Sequence, residues 1–211
     1  MCFSAPVSLA AFITGMTFSY LLYLEKEVSY KIIGLFFGFV VVMQLIEFLL
    51  WTHQKCDLYN KSVSFIGMIL NYSQPIILGI LLLYFYKNMP EINNKIVKLI
   101  LIIYTVASIL YMVQFIYEKN KCTIKKDSPY LLWTWGQMNY QYIINVLHII
   151  TMILLIAFGL PDKIAALVVI LLGSISLLIS NIYYPRPFIG AIWCVFTAFI
   201  PMIIYLFSLT S

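Results

Sequence analysis

The chain has 211 residues, of which 63% are hydrophobic and 10% are charged, and its formal net charge is +5. A soluble domain of this size covers its surface with charged side chains, so this composition excludes one. The positive charge is spread over several loops, which is ordinary for a membrane protein and does not indicate nucleic-acid binding.

Seven apolar runs follow one another along the chain, and each is about as long as a bilayer-spanning helix, which needs roughly 20 residues. Continuous runs of this length exclude the short alternating strands of a membrane β-barrel. We therefore predict an all-α integral membrane bundle of seven transmembrane helices, forming a single domain over residues 1–211. The predicted spans are 6–24, 32–51, 64–86, 96–117, 136–158, 164–183 and 187–208.

The first run predicts a retained span rather than a cleaved signal peptide, because no Lys or Arg precedes Lys26. We name the membrane side of the N-terminus side A and the opposite side B. Lys26 and Lys31 follow the first span, which favours an N-terminus outside and a C-terminus in the cytosol. Cys56 and Cys122 lie in two loops on side A, and a disulfide between them would suit an oxidising compartment. The alternative is two unrelated thiols.

Polar side chains inside the spans are concentrated towards side A, whereas the halves near side B are almost wholly apolar or aromatic. Such side chains are costly in lipid and usually face the bundle interior. Those of the fifth span fall on one arc of a helix, as do those of the second. We predict a polar pocket, open to side A and closed below by apolar side chains, that binds a small molecule or an ion. Its predicted lining residues are Gln44, Glu47, Trp51, Asn71, Gln74, Gln137, Gln141, Asn145, His148, Trp193 and Cys194. The alternative for each amide is a hydrogen bond that joins two helices.

Three kinds of side chain in this set carry possible chemistry. Glu47 is the acidic residue inside a span, and a buried carboxylate must be paired or protonated, so it suits a cation, a proton or a polar ligand. His148 is either a structural hydrogen-bonding residue or a group that titrates near neutral pH. Cys2 and Cys194 would form a soft-metal site with Glu47 or His148, or else they are small packing residues. No cofactor is indicated by the sequence.

Other motifs narrow the function. Gly34 and Gly38 form a Gly-x-x-x-Gly motif, which is typical of close helix packing. The seventh span has no lysine for a retinal Schiff base, and the chain has no P-loop, GxSxG or HExxH motif.

The N-terminal sequence Met1-Cys2-Phe3-Ser4-Ala5 resembles the start of a family of small multi-pass membrane proteins from bacteria, algae and large DNA viruses. Further similarities are Gln44, Glu47 and Trp51 in the second span, Gln74-Pro75 in the third, and Trp193-Cys194-Val195-Phe196 in the seventh. The chain departs from the bacterial members at Met43, where a His is expected. The resemblance implies no activity, but it points to residues that the depth pattern also selects. A composition rich in Ile, Lys, Asn and Tyr suits an AT-rich genome such as that of a large virus.

Three functions remain open at this stage. The first is a sensor or carrier that binds a small solute or ion in the predicted pocket. The second is a membrane-embedded enzyme or metal protein that uses Cys2 or Cys194 with Glu47 or His148. The third is a structural scaffold whose amides only join helices. The expected partners are the lipid bilayer and the small ligand, and association with further copies of the chain is open.

Overall fold

A computed structural model describes residues 4–118, 121–125, 131–183 and 189–209, without the side chains of Tyr183, residues 189–192, Cys194 and Val195. The predicted all-α class is confirmed. The helices of the described residues are α1 (Ala5–Leu24), α2 (Val28–Thr52), α3 (Leu58–Phe85), α4 (Glu91–Gln114), α5 (Gln141–Gly159), α6 (Lys163–Tyr183) and α7 (Ile189–Ser208).

Six of these helices, α1 to α6, are long and apolar enough to cross a membrane. In α7 the stretch found by the same criteria within the described residues is shorter, Phe196–Ser208. Isoleucine and leucine side chains stay exposed along the outer faces, as at Ile102, Ile103 and Leu110 of α4. In a bilayer these faces contact lipid, so the protein is an integral, multi-pass membrane protein.

Contacts between the ends of the helices fit an alternating path through the membrane. On side B, the backbone amide of Asp162 donates to the Ser29 hydroxyl over 3.0 Å. The Asn93 amide donates to the Phe158 carbonyl over 2.9 Å, which joins the start of α4 to the end of α5. On side A, Cys56 and Cys122 join the loops that follow α2 and α4.

The fifth span begins later than the sequence predicts. Helix α5 starts at Gln141, because Tyr140 adopts the left-handed conformation with a φ of 65°. The residues before it form a separate element on side A, which we name the cap and define as residues 121–125 and 131–140. In the cap, β1 (Ile124–Lys125) pairs antiparallel with β2 (Leu131–Leu132), and a 3-10 turn follows at Thr134–Gln137. Hydropathy misassigned residues 136–140, where Met138 is buried against protein rather than lipid.

The bundle has two main apolar clusters at different depths. The cluster towards side B is built on aromatic and branched side chains such as Phe36, Leu82 and Leu155. The cluster towards side A includes Tyr72 and the cap residues Trp133 and Trp135. The cap therefore belongs to the core of the protein.

Candidate functional site

The cap is held on the bundle by Asn60, which is fully buried at the start of α3. The Asn60 amide nitrogen donates to the carbonyl of His53 over 3.0 Å and to that of Thr123 over 2.9 Å. Its amide oxygen accepts from the Thr123 backbone amide over 2.9 Å. The disulfide between Cys56 and Cys122 lies beside this junction in the chain. The Asn60 side chain and the disulfide thus both fix the cap at the start of α3.

The start of α3 is stabilised by Asp57, its N-cap residue. The Asp57 carboxylate accepts from the Asn60 backbone amide over 3.1 Å and contacts Nε2 of His53 at 2.7 Å. These two hydrogen bonds, the first being the larger effect, hold the pKa of the Asp57 carboxyl below its usual value. The carboxylate lies where the exposed N–H groups of a helix favour negative charge, so it orients the turn that carries Asn60.

Beneath the cap lies a cluster of buried aromatic rings. The Tyr111 hydroxyl donates to the Trp135 carbonyl over 2.7 Å. The Tyr72 ring meets those of Tyr111 and Trp135 edge to face, at centroid distances of 5.1 and 5.6 Å. Trp133 packs on Gly67, where an added Cβ would lie 2.9 Å from its ring. These rings pack together at the side A ends of α2 to α5.

His148 lies deeper, on the inward face of α5, and its partner is Tyr104 of α4. The Tyr104 hydroxyl is 3.1 Å from the Tyr72 carbonyl and 3.0 Å from His148 Nδ1. A carbonyl only accepts, so the hydroxyl proton belongs to that bond, and His148 Nδ1–H donates to the Tyr104 oxygen. In the neutral imidazole Nε2 is then an acceptor, and it is buried with no hydrogen-bond partner among the described residues. Asn145, one turn away, accepts from the Tyr72 hydroxyl over 3.4 Å.

The remaining predicted residues fall into separate surroundings. Gln44 and Glu47 of α2 are fully buried. Trp51 and Asn71 are half-buried, and the Trp51 indole nitrogen has no hydrogen-bond partner among the described residues. Gln141 is half-buried at the start of α5, with its amide beside Gly136 of the cap.

A cavity of about 70 Å³ lies between α2, α3, α5, α6 and α7. Of the predicted ligand-binding residues, Gln74 and Trp193 line it. Its other walls are mostly aliphatic or phenylalanine side chains, and none of the lining residues is charged. This cavity is apolar, unlike the chamber that the sequence predicts, and two of the predicted polar residues bond to tyrosines instead of lining it, Asn145 to Tyr72 and His148 to Tyr104. Its lining residues are Phe36, Phe37, Val40, Gln74, Ile149, Met152, Ile153, Ile156, Val169, Ile170, Gly173, Ser174, Leu177, Trp193, Thr197 and Ile200.

Exposed side chains among the lining residues indicate that the cavity is open between α5 and α6. Two of its lining residues, Ile153 of α5 and Ser174 of α6, are exposed. Both lie near the middle of their helices, and hence far from either membrane surface. Trp193 forms another wall, with its indole nitrogen donating to the Gly173 carbonyl over 3.3 Å and its ring 6.2 Å from that of His148. The cavity is therefore accessible from the hydrocarbon core of the bilayer.

One prediction about the site residues is wrong, and two others concern cysteine side chains outside the described residues. Gln137 does not share an arc of α5 with His148, since it lies in the 3-10 turn of the cap and is exposed. Cys2 and the side chain of Cys194 lie outside the described residues. Among the residues that the structure describes, no group of three His, Cys, Asp or Glu side chains is arranged to hold a metal ion.

Sequence reasoning missed Asn60, Tyr104 and Gly173. Asn60 lies outside the predicted spans, although an Asp three residues before it is a recognisable helix-capping signal. Tyr104 lies in the predicted fourth span without a predicted role, although a buried tyrosine hydroxyl needs a partner. Gly173 carries no sequence signal, because the space beside it arises from four other helices.

Comparison with protein-family models, with curated proteins and with solved structures finds no match to this chain. The resemblance to the membrane proteins that begin Met-Cys-(Phe/Trp)-Ser-Ala therefore stays a prediction.

Proposed function

We propose that this protein binds a small lipid-soluble molecule in the cavity between α2, α3, α5, α6 and α7, as a membrane-embedded sensor or carrier. The observation that carries the proposal is an apolar cavity that opens sideways between Ile153 and Ser174. A ligand that enters from the bilayer must dissolve in hydrocarbon, and an uncharged lining gives no compensation for a bare ion. The small solute or ion expected from the sequence is thereby narrowed to a lipid-soluble, uncharged molecule.

The size of the cavity limits the ligand. At roughly 10–15 Å³ for each water-sized atom, a volume of about 70 Å³ accommodates about five to seven atoms. This is a very small molecule, or the terminal part of a longer one whose remainder stays in the lipid. Ile153 and Ser174 at the opening would contact that remainder.

Gly173 offers a way to block the cavity without disturbing the packing. It lies at the centre of the α6 face that lines the cavity, flanked by Val169, Ile170, Ser174 and Leu177. A Cβ added there meets no atom within 4 Å. A leucine at this position therefore fills space that the wild-type protein leaves open.

We expect Gly173→Leu to abolish ligand binding while the protein stays folded. The probe is a butanol with a diazirine on its chain, added to vesicles that contain the protein and activated by light. In the wild type, modification should concentrate on Met152, Ile156 and Val169, and in Gly173→Leu it should fall about tenfold, the loss that corresponds to 1.4 kcal/mol. Peptide mass spectrometry measures both.

Leu167→Phe is the matched control, because Leu167 lies on the exposed side of α6. Similar bulk is added there to the lipid-facing surface, and labelling of the cavity should not change. Wild-type labelling that is no stronger at the cavity residues than at Leu167 would disprove binding in the cavity.

We also propose that side A is exoplasmic, with the N-terminus outside and the C-terminus in the cytosol. The disulfide between Cys56 and Cys122 supports this orientation, since disulfides persist in oxidising compartments and are rare in the cytosol. The absence of a basic residue before Lys26 is consistent with it.

Thiol labelling of intact cells measures the orientation. In a variant with serine at Cys2 and Cys194, a membrane-impermeant reductant should free the exposed Cys56 thiol for an impermeant maleimide added outside. A separate Asn88→Cys variant, modified in an exposed loop on side B, should react only after permeabilisation. The opposite pattern would reverse the assignment.

The structure gives less support to the two alternative functions, a membrane enzyme or metal site and a scaffold. A membrane enzyme or metal site that uses Cys2 and Cys194 depends on side chains outside the described residues. A scaffold agrees with the hydrogen bonds of Asn60 and Tyr104, but it leaves the laterally open cavity without a role.

A further inference from the structure

The Gln74 side chain is the feature of the cavity that an apolar ligand would not explain. It is 3% exposed, and it lines the cavity on α3 one residue before Pro75. No hydrogen bond joins its amide to another of the residues that the structure describes. Two neighbouring polar side chains are paired instead, Asn145 with Tyr72 and Tyr104 with His148. Gln74 thus presents an unpaired amide to the space between the helices.

An unpaired buried amide destabilises a protein, because it loses its hydrogen bonds to water and gains none in return. A binding site is where such a cost is tolerated, since a ligand restores the missing bonds. Water is an unsuitable permanent partner here, because the cavity opens into hydrocarbon rather than towards the aqueous surface.

A purely apolar molecule gains little by entering this cavity. Lipid tails are as apolar as leucine and isoleucine, so its transfer exchanges one apolar surrounding for another. A polar group in hydrocarbon is different, because it has no hydrogen-bond partner there. Such a group gains a partner at Gln74, and this difference provides both affinity and selectivity.

We propose that Gln74 recognises the ligand through a neutral group that both donates and accepts a hydrogen bond, of which a hydroxyl is the smallest. An amide carries two N–H donors and an acceptor oxygen, so it pairs with such a group in both directions. The uncharged lining excludes a carboxylate or an amine in its ionised form. This inference rests on the proposed function and specifies its ligand as a small, lipid-soluble alcohol or a chain that ends in an equivalent neutral group.

The test compares the diazirine butanol with its analogue in which a methyl group replaces the hydroxyl. In wild-type protein we expect the alcohol to modify Met152, Ile156 and Val169 about fivefold more strongly than the analogue, as for one net hydrogen bond. In Gln74→Leu the two probes should label equally. Asn71→Leu is the matched control, one turn away on α3 and outside the cavity lining, and it should keep the wild-type preference.

Thermal unfolding of ligand-free protein separates recognition from a structural role. Gln74→Leu should raise the unfolding temperature, because it removes an unpaired buried amide. A lower unfolding temperature would mean that Gln74 joins helices, and it would overturn the inference. A wild-type preference for the alcohol that persists in Gln74→Leu would also overturn it and leave the cavity as a binding site. Absence of cavity labelling by either probe in wild-type protein would disprove the proposed function itself.

Discussion

Gly34→Ala should prevent α1 and α2 from packing as they do in the native bundle. A Cβ at position 34 would lie 2.5 Å from the carbonyl oxygen of Ser19 and 2.7 Å from the backbone nitrogen of Tyr23. Both are backbone atoms of α1, which have no rotamer to change, so the whole helix must move. Overpacking in a well-packed core costs about 1–3 kcal/mol, and we expect the upper end of that range here.

Gly38→Ala is the control for this prediction, one turn further along the same face of α2. There an added Cβ meets the Ser19 Cβ at 3.6 Å and the Met16 sulfur at 3.9 Å, which are ordinary van der Waals distances. Its free energy of unfolding should stay within about 1 kcal/mol of the wild-type value, since alanine also favours the helix over glycine. Unfolding in mixed micelles, followed by tryptophan fluorescence, measures both variants. Equal loss of stability in the two would disprove close backbone contact at Gly34.

Asn60→Ala should detach the cap from the bundle. The substitution removes four side-chain hydrogen bonds at once and leaves the Thr123 carbonyl without the amide donor that it has in the wild type. Each unsatisfied buried group costs about 1–3 kcal/mol, so we expect a total loss of about 3 kcal/mol. The same variant should also speed the reaction of Cys122 with a thiol reagent after reduction, because the side chain is 1% exposed in the native structure.

Lys61→Ala provides the control for the cap, because Lys61 is the exposed neighbour of Asn60. An exposed substitution away from special features changes the free energy of unfolding by about 0.5 kcal/mol or less. Ser64→Ala tests the edge of the same junction, since the Ser64 hydroxyl accepts from the Thr123 amide over 3.0 Å. We expect it to cost about 1 kcal/mol. A stable Asn60→Ala with a protected Cys122 would mean that the disulfide alone holds the cap.

The cap and the cavity lie in different parts of the same bundle. Trp133, Trp135 and Tyr111 pack at the side A ends of α2 to α5, whereas the cavity lies deeper and faces the gap between α5 and α6. His148 lies between these regions, bonded to Tyr104 and in ring contact with Trp193 of the cavity wall. The cluster under the cap and the cavity are thus built from different side chains.

Hydropathy was sufficient to predict the membrane class, the all-α fold and most helix ends, because the bilayer requires long apolar helices wherever the chain crosses it. It failed at residues 136–140, where the apolar Met138 is buried against other protein side chains and does not meet lipid. The Gly-x-x-x-Gly motif predicted close packing, but its spacing does not distinguish the two glycines. A Cβ at Gly34 would clash with the backbone of α1, whereas a Cβ at Gly38 would fit.

Which polar side chains meet one another was decided by tertiary structure alone. Depth and helical phase place Gln74 and Asn145 in the interior, but neither quantity specifies the neighbour on the facing helix. The Asn145 side chain accepts a hydrogen bond from the Tyr72 hydroxyl, whereas the Gln74 side chain lines a cavity between five helices. Apolar burial is non-directional and can be read from a run of residues, but a hydrogen bond or a cavity depends on how separate helices are positioned against each other.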